Sequence, residues 1–355
     1  MASSSAADCR EGAVALARRW LLQRAPAEAV VAAYTAQHGW DSLASQEALY
    51  QALVADAAAQ RVGRKYQQRV LKALLRMLDG REICESLLEA YISRGVGASG
   101  VQDARFIRTF EVEGHAIPLS VSDQIGGEAE TSGCVWPACP ALSAWLHARA
   151  EDLAGFNVLE LGSGTGLAAL TVACCANVNR VVATDNSFSA LLNLRQAIDE
   201  LEPSVASRIG VAHLDWSENG WLQKEGDGLN ALHGEGVEAS AGDLVNNLTR
   251  VPFDLLIASD VAYDPILILP LCRTIRAVLR SSAALGSLSP RAWLAAERRS
   301  KVTWAVLEEE LHKEGLIVGD LSYQLRVVAG SQKIFYCDAE SLDRIHLLEI
   351  RASAE

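Results

Sequence analysis

The residues best placed to do chemistry lie in Val158-Leu159-Glu160-Leu161-Gly162-Ser163-Gly164-Thr165-Gly166-Leu167. An apolar run that reads as a buried strand enters three alternate glycines and leaves as a helix. Glycine, lacking a Cβ, lets the main chain pass close to a ligand, and the first turn of the helix offers unpaired N–H groups. A bare strand–helix turn would not require three glycines, each of which costs conformational entropy. The pattern points to a nucleotide-bearing ligand. It is not the dinucleotide fingerprint G-x-G-x-x-G, because Leu167 stands at the sixth position. Glu160, two residues ahead of the first glycine, is also foreign to that fingerprint.

Other polar residues sit at the ends of apolar runs downstream. Asp185 closes the next run, 19 residues after Gly166; an acid there is also a common helix N-cap. Asp215-Trp216 follows the third run, and such a pair on its own is usually structural. Ile257-Ala258-Ser259-Asp260-Val261-Ala262-Tyr263 closes the strand expected beside the glycine strand, at the switch point where α/β sheets hold ligands. The bland alternative is a helix-capping acid and a core tyrosine. Upstream, Gly133-Cys134-Val135-Trp136 precedes an amphipathic helix, where Trp136 is either a ligand contact or a core anchor.

The elements that must carry these residues follow from periodicity. Residues 11–94 read as successive helices, with Val14, Leu16, Ala17, Trp20 and Leu21, then Val70, Leu71, Leu74, Leu75 and Leu78, at helical spacing. Leu87, Leu88, Tyr91 and Ile92 close that series before the loop Gly95–Gly100. Residues 105–122 alternate as a hairpin turning at Glu113-Gly114. Strands are expected at 157–161, 180–185, 209–214, 253–258 and 291–296, with helices at 137–146, 167–176, 187–200, 266–280 and 301–314. Two final strands are expected at 319–328 and 344–351. Alternating strands and helices make a mostly parallel α/β sheet, and the last two strands an antiparallel edge pair. Residues 220–250 are polar and unpatterned, a surface insertion.

Half of the 355 residues are apolar and 21% are charged, which excludes collagen-like, rod-like and wholly disordered classes. The first 100 residues carry 12 basic and 10 acidic side chains, and the remainder 20 and 34. That acidic body is a poor footprint for a phosphate backbone, so nucleic acid is not expected as the main partner. No apolar run is long enough for a membrane span. The eight cysteines form no C-x-x-C pair; Cys134 and Cys139 lack a second pair to complete a metal site, so no metal is expected and the thiols read as reduced. The Ser-rich start followed by Arg10, Arg18, Arg19 and Arg24 is faintly like a transit peptide, but Asp8 and Glu11 interrupt it, and a cytoplasmic protein is expected. The basic cluster Arg61, Arg64, Lys65, Arg69, Lys72 and Arg76 is a solvated helix face or a dock for an acidic partner.

The glycine segment resembles motif I, E/D-x-G-x-G-x-G, of the class I S-adenosylmethionine-dependent methyltransferases. The resemblance implies a Rossmann-like seven-strand sheet over residues 101–355, preceded by a small all-α domain over 1–100. It implies that Asp185 accepts the ribose hydroxyls, that Asp215 accepts from the adenine amino group with Trp216 against the ring, and that Trp136, Gly162, Ser163, Gly164, Gly166 and Ser259 surround the cofactor. Glu160 supports the glycine loop or the cofactor's amino group. Asp260-Val-Ala-Tyr263 is similar to the D-x-x-Y motif of the seven-strand lysine methyltransferases, so Asp260 and Tyr263 are the catalytic candidates: a carboxylate orients the incoming ammonium and the tyrosine aligns the neutral amine. This chain has Trp136-Pro137-Ala138 where that family usually has Trp-Asp-Ala.

Tyr66–Leu75, Leu87–Tyr91, Leu214–Trp216 and Ala258–Tyr263 resemble the eukaryotic elongation factor 2 lysine methyltransferases, a family that commonly has alanine where Ser259 stands. The resemblance implies methylation of a lysine on that factor. The same chemistry on another protein, with the helical domain choosing the target, is the second reading. A non-catalytic binding module on a methyltransferase scaffold is the third, and the intact motifs speak against it.

Overall fold

The computed structural model describes residues 6–95, 105–122, 132–216 and 251–353. The 220–250 insertion, the Gly95–Gly100 loop beyond its first residue and the first five residues lie outside them. The chain divides into two compact units, Met1–Glu111 with Pro118–Gln124 and Val112–Ile117 with Ile125–Glu355. The strands of the hairpin, β1 (Phe106–Val112) and β2 (His115–Val121), therefore count mostly with the first unit and its turn with the second. Glu113 and Gly114 have φ of 48° and 82°. Two successive left-handed residues make the type I′ turn, whose twist suits a two-residue hairpin.

In the first unit, Ala6–Leu22, Ala27–Thr35, Leu43–Tyr50, Arg64–Met77 and Glu85–Gly95 are helices, as the periodicity predicts. Pro26 precedes the second, and Ser42 caps the third by accepting from the Ser45 amide. Leu21, Leu22, Val30, Tyr34, Leu49, Val70, Leu71, Leu74 and Leu87 form the core. Two buried glutamines tie turns to this core. Gln67 donates to the carbonyls of Leu53 and Ala59 at 3.0 and 2.8 Å, and Gln46 to those of Asp41 and Glu82 at 2.8 and 2.9 Å. Buried amides without such partners would each cost about 1–3 kcal/mol.

The second unit holds a seven-strand sheet in the order β5-β4-β3-β6-β7-β9-β8. The strands are β3 (Asn157–Leu161), β4 (Arg180–Asp185), β5 (Ile209–His213), β6 (Leu255–Ser259), β7 (Arg291–Glu297), β8 (Leu316–Asp320) and β9 (Ile345–Ala352). β3 to β7 pair in parallel, and β9 runs antiparallel to both β7 and β8. This is the expected mostly parallel sheet, and β3, β4 and β6 are buried almost throughout, as strands covered on both faces must be. One expected element is wrong. The strand expected at 319–328 is the end of β8 followed by a helix, Ser322–Ser331. Leu321, Tyr323, Leu325 and Val327 alternate like a strand, but Ser322, Leu325 and Ala329 are the residues buried, at spacings of three and four. Asp320 fixes the helix start by accepting from the Ser322 amide at 2.8 Å.

A candidate cofactor and lysine site at the strand ends

Parallel pairing puts the carboxyl ends of β5, β4, β3, β6 and β7 along one edge, and every sequence-predicted site residue except Trp136 belongs to that edge or to the loop leaving it. Gly162, Gly164 and Gly166 have φ of 66°, 52° and 80°, so all three adopt the conformation that side-chain-bearing residues avoid. At Gly162 the space is closed as well. A Cβ there would come within 2.7 Å of Val261 Cγ1 and 3.3 Å of the Trp216 ring. At Gly164 a Cβ would meet the Ser132 carbonyl oxygen at 3.2 Å. Gly166 is the N-cap of the helix Leu167–Cys175 and makes no side-chain cap, so the first N–H groups of that helix receive nothing from its side chain.

The loop is held from β4. The Ser163 amide donates to the Thr184 carbonyl at 2.8 Å, and the Gly164 amide donates to Asp185 Oδ2 at 2.8 Å. Asp185 Oδ1 accepts from the Ser187 amide at 2.8 Å, while the Leu214 amide donates to the Asp185 carbonyl at 3.0 Å. Asp185 thus carries both readings at once: it ties the glycine loop to β4 and keeps further lone pairs on each oxygen. Burial pushes its carboxyl above the usual range, against the pull of these amides and of His213. Through Leu214 it also holds Asp215-Trp216 beside the loop. The exposed Phe188 stacks on His213 at 4.5 Å between centroids and 8° between planes. Neither Phe188 nor His213 was singled out from the sequence.

Among the described residues, three buried polar groups gathered at the loop make no hydrogen bond of normal geometry: both oxygens of Glu160, the Ser163 hydroxyl and the Trp216 indole N–H. Glu160 lies in the middle of the sheet, between Ala183 and Ile257, and is 0% exposed. Burial pushes its carboxyl up to about 8; Ser163 and the Ala169 amide draw it down only in part. Cys139, also fully enclosed, is pushed up to about 12 by burial and by the nearby Glu160 carboxyl.

Asp260 is unlike Glu160. It adopts a left-handed φ of 54°, rare for a residue with a side chain. Its Oδ2 accepts from the Ala138 amide at 2.8 Å, its Oδ1 from the Glu297 amide at 3.0 Å, and Arg299 Nη2 stands 3.4 Å from Oδ1. Burial raises its pKa, opposed by those amides and the guanidinium. Arg299 also pairs with Glu297 at 2.8 Å and lies 4.9 Å over the Trp136 ring, and Glu297 pairs with Arg344 at 2.8 Å. Burial would lift the Glu297 carboxyl, but these two guanidiniums hold it below the ordinary range. Asp260 and Tyr263 line one small cavity of about 60 Å³ with Ala262, Ala296 and Arg299, and Tyr263 is 54% exposed. Ser259 ends β6 level with Ala295 of β7. Sequence reasoning missed Glu297 and Arg299. The signal was present, a charged run Glu297-Arg298-Arg299 at the carboxyl end of a buried strand next to the switch point.

Residues 115–226 match the family model described as lysine methyltransferase. The chain is 28% identical to the mouse (Mus musculus) protein-lysine N-methyltransferase EEF2KMT over 57% of this chain and 55% of that protein. It is 25% identical to the calmodulin-lysine N-methyltransferase of Arabidopsis thaliana over 44% of this chain and 43% of that protein. The chain thus spans about half the length of the curated relatives it matches. Among solved structures, the glycopeptide N-methyltransferase MtfA complexed with (S)-adenosyl-L-methionine is 13% identical, with a TM-score of 0.38 over 60% of this chain and 87% of that one.

Proposed function

We propose that this protein transfers a methyl group from S-adenosylmethionine to a lysine ε-amine of a protein substrate. The observation that carries the reading is the set of orphaned polar groups, Glu160, Ser163 and the Trp216 indole, around a glycine loop too tight for a Cβ. A ligand with both hydrogen-bonding ends and a flat ring suits that set, and the dinucleotide alternative was excluded by Leu167. The residues that would hold the cofactor are Gly162, Ser163, Gly164 and Gly166 through main chain and hydroxyl, Asp185 through its remaining lone pairs, Asp215 and Trp216 at the base, and Glu160 through its unpartnered carboxyl. Trp136 and Ser259 border it. When bound, the cofactor supplies a methyl group on a positively charged sulfur.

The chain's own part is to orient the amine and exclude water. Asp260 is pinned by two amides and a guanidinium, so its negative field is fixed in direction and favours an incoming ammonium. Tyr263, exposed beside it, presents a hydroxyl that aligns the amine. No side chain is needed as a general base if the lysine loses its proton to solvent before transfer. Calorimetry with S-adenosylmethionine on the purified protein is expected to show binding; none would remove the enzyme reading and leave the scaffold alternative.

The finer proposal is that the substrate is eukaryotic elongation factor 2, in the cytoplasm. It is supported by the resemblance at Leu214–Trp216 and Ala258–Tyr263 and by the likeness to EEF2KMT. The likeness to a calmodulin-lysine enzyme favours, as a second reading, the same transfer to another protein. Labelled cofactor added to a lysate lacking the endogenous activity separates the two. A labelled band at the mass of the elongation factor is expected, and any other band sinks the first choice.

A further inference from the structure

The helix Arg64–Met77 is arranged against its own stability. Lys65, Arg69, Lys72 and Arg76 follow at steps of four, three and four, which places them in one row about 16 Å long. All four are exposed, on the side opposite Tyr66, Val70, Leu71 and Leu74. Like charges three and four residues apart work against a helix. Arg64 and Lys65 also occupy the first turn, at the positive end of the helix dipole, with no acid there and only Gly63, lacking a side chain, at the N-cap.

Among the described residues, Lys65, Lys72 and Arg76 make no ion pair or hydrogen bond, and Arg69 has only the Tyr66 ring, 5.8 Å from its guanidinium. Several other cations are matched: Arg18 with Asp56 and Glu111, Arg81 with Asp41, Arg273 and Arg276 with Glu314, Arg344 with Glu297 and Glu340. With 44 acids against 32 Lys and Arg, acidic neighbours are plentiful in this chain. The row has none.

We propose that the Lys65–Arg69–Lys72–Arg76 row docks an acidic helical segment of a protein partner. Carboxylates on one face of a facing helix recur at the same three- and four-residue steps, about 5–6 Å apart, so the two rows match charge for charge. A nucleic acid is disfavoured, since the rest of the chain is acidic and Tyr66 is buried and cannot stack on bases. A lipid surface is disfavoured because Gln68 and Ala73, between the cations, are not large apolar anchors. The inference does not depend on methyl transfer.

Full-length protein and its K65Q/R69Q/K72Q/R76Q variant would be titrated by fluorescence anisotropy with a labelled 18-residue peptide carrying glutamates at four-three-four spacing. A peptide of the same composition in scrambled order, an 18-nucleotide RNA and phosphatidylserine vesicles would be run beside it. A variant with R273Q/R276Q/K313Q/R351Q controls for charge alone. The matched peptide is expected to bind wild type and control at least tenfold tighter than the row variant at 50 mM salt, and to prefer the matched over the scrambled order at least threefold. Equal affinity of wild type and row variant, or tighter binding of RNA or vesicles than of the peptide, overturns the proposal. K65Q/R69Q and K72Q/R76Q, each expected to lose part of the affinity, keep the test open should the quadruple variant fold poorly.

Discussion

Glu160 and Asp260 sit at the ends of neighbouring strands, are both buried acids, and are treated in opposite ways. Asp260 receives two main-chain amides and a guanidinium; Glu160 accepts no hydrogen bond of normal geometry among the described residues, with only the Ser163 hydroxyl and the Ala169 amide near enough to draw its pKa down. A buried carboxylate that is saturated fixes the main chain around it, here the start of the helix Ala138–His147 and the end of β7. One that is empty retains its full capacity to accept, and its proton, until something polar arrives. The contrast separates the parts of the edge whose polar groups are saturated from the parts whose polar groups stay open.

The largest effect is expected at the saturated acid. Asp260→Ala leaves two buried amides without their acceptor and Arg299 with Glu297 alone, a loss of about 3–5 kcal/mol in urea unfolding, together with loss of methyl transfer. Asp260→Asn, which can accept one of the two amides, is expected to lose roughly half as much. A fully stable Asp260→Ala would break the contrast, and retained turnover would refute the assigned role. Gly162→Ala tests the wall between the two acids, since its Cβ would press on Val261, next to Asp260. Left-handed strain and that contact should cost about 2–3 kcal/mol and weaken S-adenosylmethionine binding at least tenfold by calorimetry.

At the empty acid the sign is opposite. The Glu160 carboxyl is near 8 in the folded protein against about 4.3 in an unfolded chain. Between those values the unfolded chain gives up its proton and the folded one keeps it, so stability falls as pH rises, by up to about 1.4 kcal/mol per pH unit. Glu160→Gln is expected to remove that slope from a series of melts between pH 5 and 8, to be more stable than wild type at pH 7.5, and to bind S-adenosylmethionine more weakly. A variant less stable than wild type across the range would show that Glu160 is paired after all. The smallest effect is expected far from both: removing the row on Arg64–Met77 should leave stability unchanged or raise it by up to about 1 kcal/mol.

The same contrast marks how much could be read from the sequence. β3, β4, β6 and β7 were legible within two residues because each is an apolar run too short for a helix and bounded at one end or both by Gly, Pro, Asn or Asp. The glycine loop was legible for the same local reason. Its partners were not. That Trp216 closes over Gly162, that Ser132 abuts Gly164, and that Glu297 and Ala138 meet on Asp260 are contacts over separations of tens of residues or more, fixed only once the strands are ordered. Asp260 stands at the end of β6 beside β3, where the sequence places it, but its saturation by main-chain amides has no local signature. The helix at 322–331 was misread because alternation of apolar residues over eight positions fits both periods, and only the burial of Ser322, Leu325 and Ala329 decides between them.

The place of β9 has a consequence for how the molecule is made. β8 is synthesised before β9, yet among the described strands its one neighbour is β9, which also is the neighbour of β7. β8 therefore has nothing to pair with until Ile345–Ala352 has been made, and the edge of β7, with Trp293 and Leu294, stands open until that strand docks. The Arg344–Glu297 pair, at the entry to β9, is the clasp formed at the same moment. Because Glu297 also pairs with Arg299 beside Asp260, the charged cluster at the end of β6 is completed by the same event that seats β9.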